Sequence, residues 1–287
     1  MHLPELKMEG RSGCELIVEQ VDGKTQIRKF SNSLGYNKRL IKQAEKQNDF
    51  FESNTLPMFN TAKVFDLHIT SDELSWFTMP YLFAEKYSNY LDRIDFIQLK
   101  TFIGHLINYF DQNFNNAVYS TVNRDVFFDK IFDVRKNINS NQAVSAGAFD
   151  DVLAYLENSI PNEQLPMGTC HGDFTFSNIL FGDHQVYLLD FLDSFVESPL
   201  IDIVKLRQDT CYKWSIMLEN TMPLYKSNKL TQVFNYIDNS ISQYCSKLGL
   251  NNWYTYLQAF NLIRIVPYLH KESEVHFIKE SLNTLLK

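Results

Sequence analysis

The sequence predicts an α+β chain with a small, strand-rich N-terminal part and a larger, mainly helical C-terminal part. Three observations carry this reading. Up to about residue 82 the apolar residues fall in short strand-like runs broken by turn residues. From about residue 94 they recur at helical spacing, and strand character returns only in one short hairpin near residue 180. The crossing point lies at Tyr81 to Glu85, so the expected domains are 1–83 and 84–287.

Taken in order, the run Cys14–Gln20 (CELIVEQ) and the run Lys24–Phe30 (KTQIRKF) flank Asp22-Gly23, a dipeptide suited to a tight hairpin turn. Asn37 to Glu52 reads as a helix with Leu40, Ile41, Ala44 and Phe51 near one face. Two further strands are expected at Ala62–Thr70 (AKVFDLHIT) and Leu74–Leu82 (LSWFTMPYL), with Thr70, Ser71 and Asp72 as the polar turn. Leu99, Phe102, Ile103, Leu106 and Phe110 set an amphipathic helix over 94–114. The segment 122–147 reads as helix followed by loop, and Ala148 to Ser159 as another helix. Asn178–Phe181 and Val186–Asp190 form a hairpin across Gly182-Asp183-His184-Gln185, and everything after Pro199 is helical. Trp253, Tyr256, Leu257, Phe260 and Ile263 mark a buried helix face, read as core rather than as a ligand cage.

Composition narrows the function. The 287 residues are 45% hydrophobic and 21% charged, an ordinary globular balance that excludes a disordered or fibrous chain. Lys plus Arg number 27 against 34 Asp plus Glu; the net charge of −7 gives no general attraction to nucleic acid or to anionic membranes. No apolar run reaches the roughly 18 residues of a membrane span, and MHLPELKMEG has no signal-peptide core, so a cytoplasmic location is expected. Cys14, Cys170, Cys211 and Cys245 are far apart and form no CxxC pair, which fits buried reduced thiols rather than zinc ligands.

The densest polar cluster is Cys170-His171-Gly172-Asp173-Phe174-Thr175-Phe176-Ser177-Asn178, followed by an apolar strand ending in Asp190. A tight loop can aim Asp173 and Asn178 at one centre, and the hairpin returns Asp190 to the side of Asn178. Two carboxylates and an amide oxygen are hard donors that suit magnesium when phosphates complete its shell. Asn178 and Asp190 would hold the metal, and Asp173 would orient a hydroxyl and accept its proton, an arrangement used for phosphoryl transfer from a nucleotide.

HGDFTFSN followed by LLDF resembles the signature of the aminoglycoside phosphotransferase and choline kinase family, namely His-Gly-Asp, four residues, Asn, then a strand ending in Asp-Phe. The downstream ESPLIDIVKL resembles that family's Asp-Pro-x-x-Asp-Leu-Ala segment, with Glu197 and Ser198 departing from it. The resemblance implies a bilobal protein-kinase-like fold: a small antiparallel-sheet N-lobe covering the nucleotide over 1–83, and a larger helical C-lobe over 84–287 with catalytic loop, metal site and acceptor pocket. It also implies a phosphate loop, a strand lysine and a helix glutamate. Gly10, Ser12 and Gly13 supply the small residues that let backbone amides approach phosphate. Strand alternation puts Ile27 and Lys29 on one face, Ile27 to cover adenine and Lys29 to reach the phosphates, with Arg28 taking the lysine's place if the register slips by one. Glu45, one turn after Ile41, is the candidate to hold the lysine, against the alternative of a solvated surface glutamate. Met79, Pro80 and Tyr81 occupy the hinge, where Tyr81 or Leu82 would donate an amide to the adenine edge because Pro80 has none.

The resemblance also implies that Asp202 anchors the catalytic loop. His171 is expected to be structural, and Asp193 to bond local backbone amides rather than a second metal or the substrate. The function expected is a small-molecule kinase moving the terminal phosphate of ATP, or of GTP, with Mg, to a hydroxyl of a sugar, amino alcohol or aminoglycoside. The alternatives are a nucleotide-binding pseudokinase and, further off, a metal-dependent hydrolase using His171, Asp173, Asp190 and Asp193.

Overall fold

A computed structural model describes residues 6–9, 14–219 and 221–287. The N-terminal strands are β1 (Leu6–Glu9), β2 (Cys14–Val21) and β3 (Lys24–Ser31), followed by helix α1 (Leu34–Ser53). Then come β4 (Phe59–Thr61), β5 (Leu67–His68), β6 (Trp76–Pro80) and β7 (Glu85–Lys86). The order β1-β2-β3-β6-β5 makes one antiparallel sheet. Asp22 (φ 51°) and Gly23 (φ 76°) both take the left-handed conformation that a two-residue turn between twisted strands requires, and β2 and β3 stay in register from Val21↔Lys24 to Cys14↔Ser31.

The expected strand over Ala62–Thr70 is reduced to the two residues of β5. Upstream of it the backbone bonds to other partners: Ala62 O accepts from the Gln47 side chain, and Phe65 and Asp66 exchange single bonds with Thr78. The strand preceding it, β4, instead lies parallel to a strand of the 180s hairpin. Helix α1 covers the sheet through Leu40 and Ala44, which pack with Cys14, Ala62, Phe77 and Met79. Its buried polar residues each hold backbone or a strand residue. Asn37 bonds Thr70 O, Glu73 O and Ser75 N, and Gln47 bonds Ala62 O. Buried amides are tolerated there because they are paired.

The helical part comprises α2 (Tyr87–Arg93), α3 (Phe96–Asn115), α4 (Arg124–Asn139) and α5 (Asp150–Asn158), with short strands β8 (Val118–Ser120) and β9 (Leu165–Met167) pairing with each other. These two strands, three residues each, carry too little pattern to be read from the sequence. The hairpin strands are β10 (Ile179–Phe181) and β11 (Val186–Leu188), which join a second sheet in the order β4-β11-β10-β7. The chain ends in α6 (Pro199–Thr210), α7 (Trp214–Leu218), α8 (Leu224–Lys247), α9 (Asn251–Ile263) and α10 (Glu272–Leu285). No helix among the described residues is long and apolar enough to cross a membrane.

By packing, the chain forms two compact units: residues up to Phe96 together with His171–Ser194, and Ile97–Cys170 together with Phe195–Lys287. The first therefore contains the two larger sheets and α1. The functional division expected at 83/84 is a different partition, drawn by role rather than by packing. The second unit is built around an aromatic cluster in which Phe127 touches Phe195, Trp253, Tyr256 and Phe260, so the α9 stripe is core. Its buried charges are paired: Arg207 makes a two-pronged bond to Asp238 (2.9 and 3.0 Å), and Tyr109 donates to the fully buried Asp202 (2.8 Å). The four cysteines are free thiols, and Cys170 donates to Glu197.

Leu40 is wholly buried between α1 and the sheet. Leu40→Ala is expected to destabilise the first unit by about 2–5 kcal/mol. Urea dependence of amide exchange in β3 and β6 reads this directly, and unchanged protection there would contradict the packing role.

Candidate active site

The segment His171–Asn178 is a loop closed by a single 3-10 turn at Phe176–Asn178. Its two phenylalanines are the anchors. Phe174 packs on Phe59 and His171, Phe176 on Tyr87, and both are fully buried. Burying rings of this size contributes roughly 2–3 kcal/mol each, enough to fix a loop whose other side chains stay polar. Thr175 N–H bonds Asp173 O and Asn178 N–H bonds Thr175 O, tightening the turn. Asp173 and Asn178 are left half-exposed and facing each other: the Asn178 amide nitrogen donates to both Asp173 Oδ2 and Asp173 O at 2.8 Å. With Nδ2 so committed, the amide presents Oδ1 elsewhere, and among the described residues nothing donates to it.

Asp190 arrives from the hairpin. Ile179 pairs with Leu188, and Leu189 N–H donates to Asn178 O (2.9 Å), so Asp190 follows directly after the residue opposite Asn178. Its backbone is left-handed (φ 58°), a conformation uncommon for a residue with a side chain and tolerated best by Asp and Asn. What holds it there is a set of contacts from three directions. Lys29 Nζ bonds Asp190 Oδ1 at 2.6 Å. Leu192 N–H bonds His171 O, and three α1 side chains spaced four apart meet the residues after Asp190 in reverse order. Lys42 pairs with Asp193 (2.8 Å), Lys46 donates to Leu192 O (2.7 Å), and Phe50 packs on Phe191. Asp193 therefore answers to a lysine, where backbone amides were expected.

His171 joins the two carboxylate-bearing segments. Its Nδ1 accepts from Asp173 N–H (3.2 Å) and its Nε2–H donates to Leu189 O (2.8 Å), so the ring is a neutral bridge with both nitrogens occupied. Burial pushes its pKa down to about 4 against the raising effect of Asp173. This is the structural role expected of it, and it removes His171 from any metal-ligating hydrolase site. Among the described residues, no group of three His, Cys, Asp or Glu side chains could hold a metal. The hard oxygen donors that could serve a magnesium ion with phosphates are Asn178 Oδ1 and the carboxylate of Asp190, one oxygen of which Lys29 already holds.

Lys29 lies on the buried face of β3, 2% exposed, and Arg28 points the other way to Glu19 and over Trp76, which settles the register. Burial alone pulls the Lys29 ammonium down. Asp190, with smaller help from Cys14 and Tyr36, more than offsets this and holds it above the usual lysine value. The second partner is Gln43 Oε1 at 3.1 Å. Glu45, expected to hold the lysine, is instead exposed. The reason is helical phase: α1 buries Leu40, Gln43, Ala44 and Gln47, which turns Ile41 and Glu45 away from the sheet. Sequence reasoning missed Gln43 because an amide carries no charge signal.

Ile27 packs at the edge of the Cys14–Met79 cluster, and Met79 belongs to its buried core. Of the two amides expected to serve the adenine edge, Tyr81 N–H is already bonded to Thr25 O (3.1 Å), while Leu82 N–H has no acceptor among the described residues. A cavity of about 370 Å³ opens beside this hinge, lined by Tyr81, Phe83, Ala84, Glu85 and Phe181, with Phe83 85% exposed and edge-on to Tyr81. Gly10, Ser12 and Gly13 lie outside the described residues.

Residues 123–222 match the model of the phosphotransferase enzyme family, and the loop, hairpin and Asp190 all fall inside that span. The whole chain is similar in fold to the apo form of a thermostable mutant of aminoglycoside phosphotransferase APH(4)-Ia, with a TM-score of 0.60, 10% identity, and coverage of 99% of this chain and 94% of that one. A further variant of the same enzyme, in ternary complex with ADP and hygromycin B, gives a TM-score of 0.60 at 9% identity, covering 98% and 92%. A glucosamine kinase in complex with glucosamine, ADP and inorganic phosphate gives 0.55 at 13% identity, covering 99% of this chain and 76% of that one. At such identities the likeness establishes the protein-kinase-like fold. No curated protein sequence is significantly similar to this chain.

Two outcomes follow from the loop geometry. The native His171 stays neutral down to about pH 4, whereas an unfolded histidine takes up a proton near 6.5. Stability should therefore fall as pH drops through that window, by up to about 1.4 kcal/mol per pH unit from this group. Urea midpoints measured across it test the slope, which should flatten in His171→Gln. Gly172 has φ 85°, and a Cβ there would lie 2.4 Å from Leu192 O and 2.7 Å from Ser194 Oγ. Gly172→Ala is expected to destabilise by about 1–3 kcal/mol through strain and overlap, seen as a lower urea midpoint; an unchanged midpoint would contradict the close approach.

Proposed function

We propose that the protein is a small-molecule kinase that transfers the terminal phosphoryl group of ATP to a hydroxyl of a small acceptor. The observation that carries this reading is the convergence of Lys29, Asp173, Asn178 and Asp190: a buried lysine bonded to one carboxylate, and an asparagine bonded to the other with its oxygen turned away. Asp173 is the base. It receives the acceptor's proton as the acceptor oxygen bonds to phosphorus and the diphosphate departs. Lys29 steadies the phosphates, while Ile27 and Met79 cover the adenine and Leu82 N–H bonds its edge. Asn178 and Asp190 would hold magnesium, which when bound supplies charge neutralisation for the phosphates. Catalysis of this kind is mostly positioning and electrostatics.

In this reading residues 1–83 form the lobe over the nucleotide, with Gly10, Ser12 and Gly13 at the phosphates, and 84–287 form the lobe with catalytic loop and acceptor pocket. GTP is a second donor worth testing. The similar structures hold hygromycin B and glucosamine, which supports a sugar, amino alcohol or aminoglycoside as acceptor class. All four polar residues are present, which argues against a pseudokinase.

A nucleotide-consumption screen over small hydroxyl compounds is the direct test. Asp173→Ala should lower transfer by roughly 10²–10⁴ and leave ADP affinity nearly unchanged. Asp190→Ala should abolish the dependence of nucleotide binding on magnesium. Transfer retained by the Asp173 variant would refute the assignment of the base.

A further inference from the structure

Lys29 is enclosed by two acceptors of different kinds. Asp190 Oδ1, at 2.6 Å, carries a charge; Gln43 Oε1, at 3.1 Å, does not. Gln43 is itself buried, and its amide cannot turn over. Lys29 has only protons to offer and so demands the oxygen, while the Gln43 Nε2 donates to Tyr36 Oη at 3.0 Å. The chain Tyr36–Gln43–Lys29 thus orients the ammonium without neutralising it. Among the described residues, Asp190 is the sole carboxylate bonded to Lys29, so the pair is electrically balanced as it stands. A carboxylate at position 43 would leave the same buried cluster with an extra negative charge where a polyanion must arrive.

Resting on the kinase reading above, we propose that Gln43 is a positioning residue that holds Lys29 in place while leaving its charge available to the nucleotide phosphates. When Asp190 serves a divalent cation, no second carboxylate competes for the ammonium. The neutral amide then leaves phosphate as the counter-ion for Lys29. Nucleotide affinity then depends on the charge at position 43, and turnover depends on the hydrogen bond there.

The test separates these two dependences by measuring ADP dissociation constants, with and without magnesium, and kcat against KM for phosphate transfer. Gln43→Glu keeps the shape and adds a charge, and should weaken magnesium-free ADP binding about tenfold, the scale of one added charge a few ångströms away at intermediate dielectric. Gln43→Met keeps neutrality and removes the acceptor, and should bind ADP within about twofold of the wild type while kcat falls severalfold. Tyr36→Phe removes the acceptor that tethers Gln43 Nε2, loosens the amide, and should lower kcat in the same direction without moving ADP affinity; it serves if a residue-43 variant does not fold. Equal ADP affinities for Gln43→Glu and wild type, or an unchanged kcat in both Gln43→Met and Tyr36→Phe, would overturn the proposal while leaving the kinase reading in place. A wild-type protein that fails to bind ADP, or a Lys29→Met variant that binds it equally well, would overturn both.

Discussion

A charged amine buried in the middle of a sheet strand has to be matched by a counter-ion, and much of the first unit is arranged around that requirement. Lys29 sits within β3 with almost no exposed surface, and its counter-ion is supplied by Asp190, 161 residues later in the chain. An unpaired ammonium there would cost several kcal/mol, so the five-stranded sheet and the β10–β11 hairpin cannot part without exposing or orphaning a charge. Packing alone would not impose so close a meeting of two distant segments. In the kinase reading proposed above, structural and functional demands fall on the same two side chains.

Around that pair the chain uses neutral polar groups rather than further charges. His171 is kept unprotonated and commits both nitrogens to the backbone flanking Asp173 and Asp190. Asn178 ties its amide nitrogen to Asp173, and Gln43 and Gln47 on α1 hold Lys29 and Ala62. Hydrogen bonds of this sort fix orientation at little electrostatic cost, whereas each extra buried ion would carry a desolvation penalty. The Lys42–Asp193 pair is half-exposed and serves alignment more than stability. Around the site, unusual backbone falls on two residues: Asp190 is left-handed at the end of its strand, and Gly172 permits a contact no side chain could make.

The second unit is built the opposite way. Its centre is a nest of rings around Phe127, and its buried ions are locked in a two-pronged Arg207–Asp238 pair and a Tyr109–Asp202 bond. Burial, and next to it the Asp202 carboxylate, push the Tyr109 phenol well above its ordinary value, so it remains a donor across the working pH range. Such a unit gains its stability from apolar area, and its polar groups serve mainly to register one helix against the next.

Features legible in the residues alone were the local ones. Asp22-Gly23 specified a hairpin and helical spacing specified α3. The crowding of His171, Asp173 and Asn178 ahead of a strand ending in Asp190 foretold that these side chains meet, since turn chemistry and short spacings act within a dozen residues. Strand alternation even placed Lys29 and Ile27 on one face. Matters that depend on a partner were decided only when the chain folded. The phase of α1 against the sheet chose Gln43 over Glu45, because a helix's polar residues do not announce which side will be buried. The bond from Tyr81 N–H to Thr25 O took up one of the two expected amide donors and left that of Leu82, and the diversion of Ala62 O to Gln47 cut short a strand whose alternation was intact. Short strands such as β8 and β9 exist only because each finds the other. Local chemistry is written in neighbouring residues; pairing across the fold is settled by which surfaces meet.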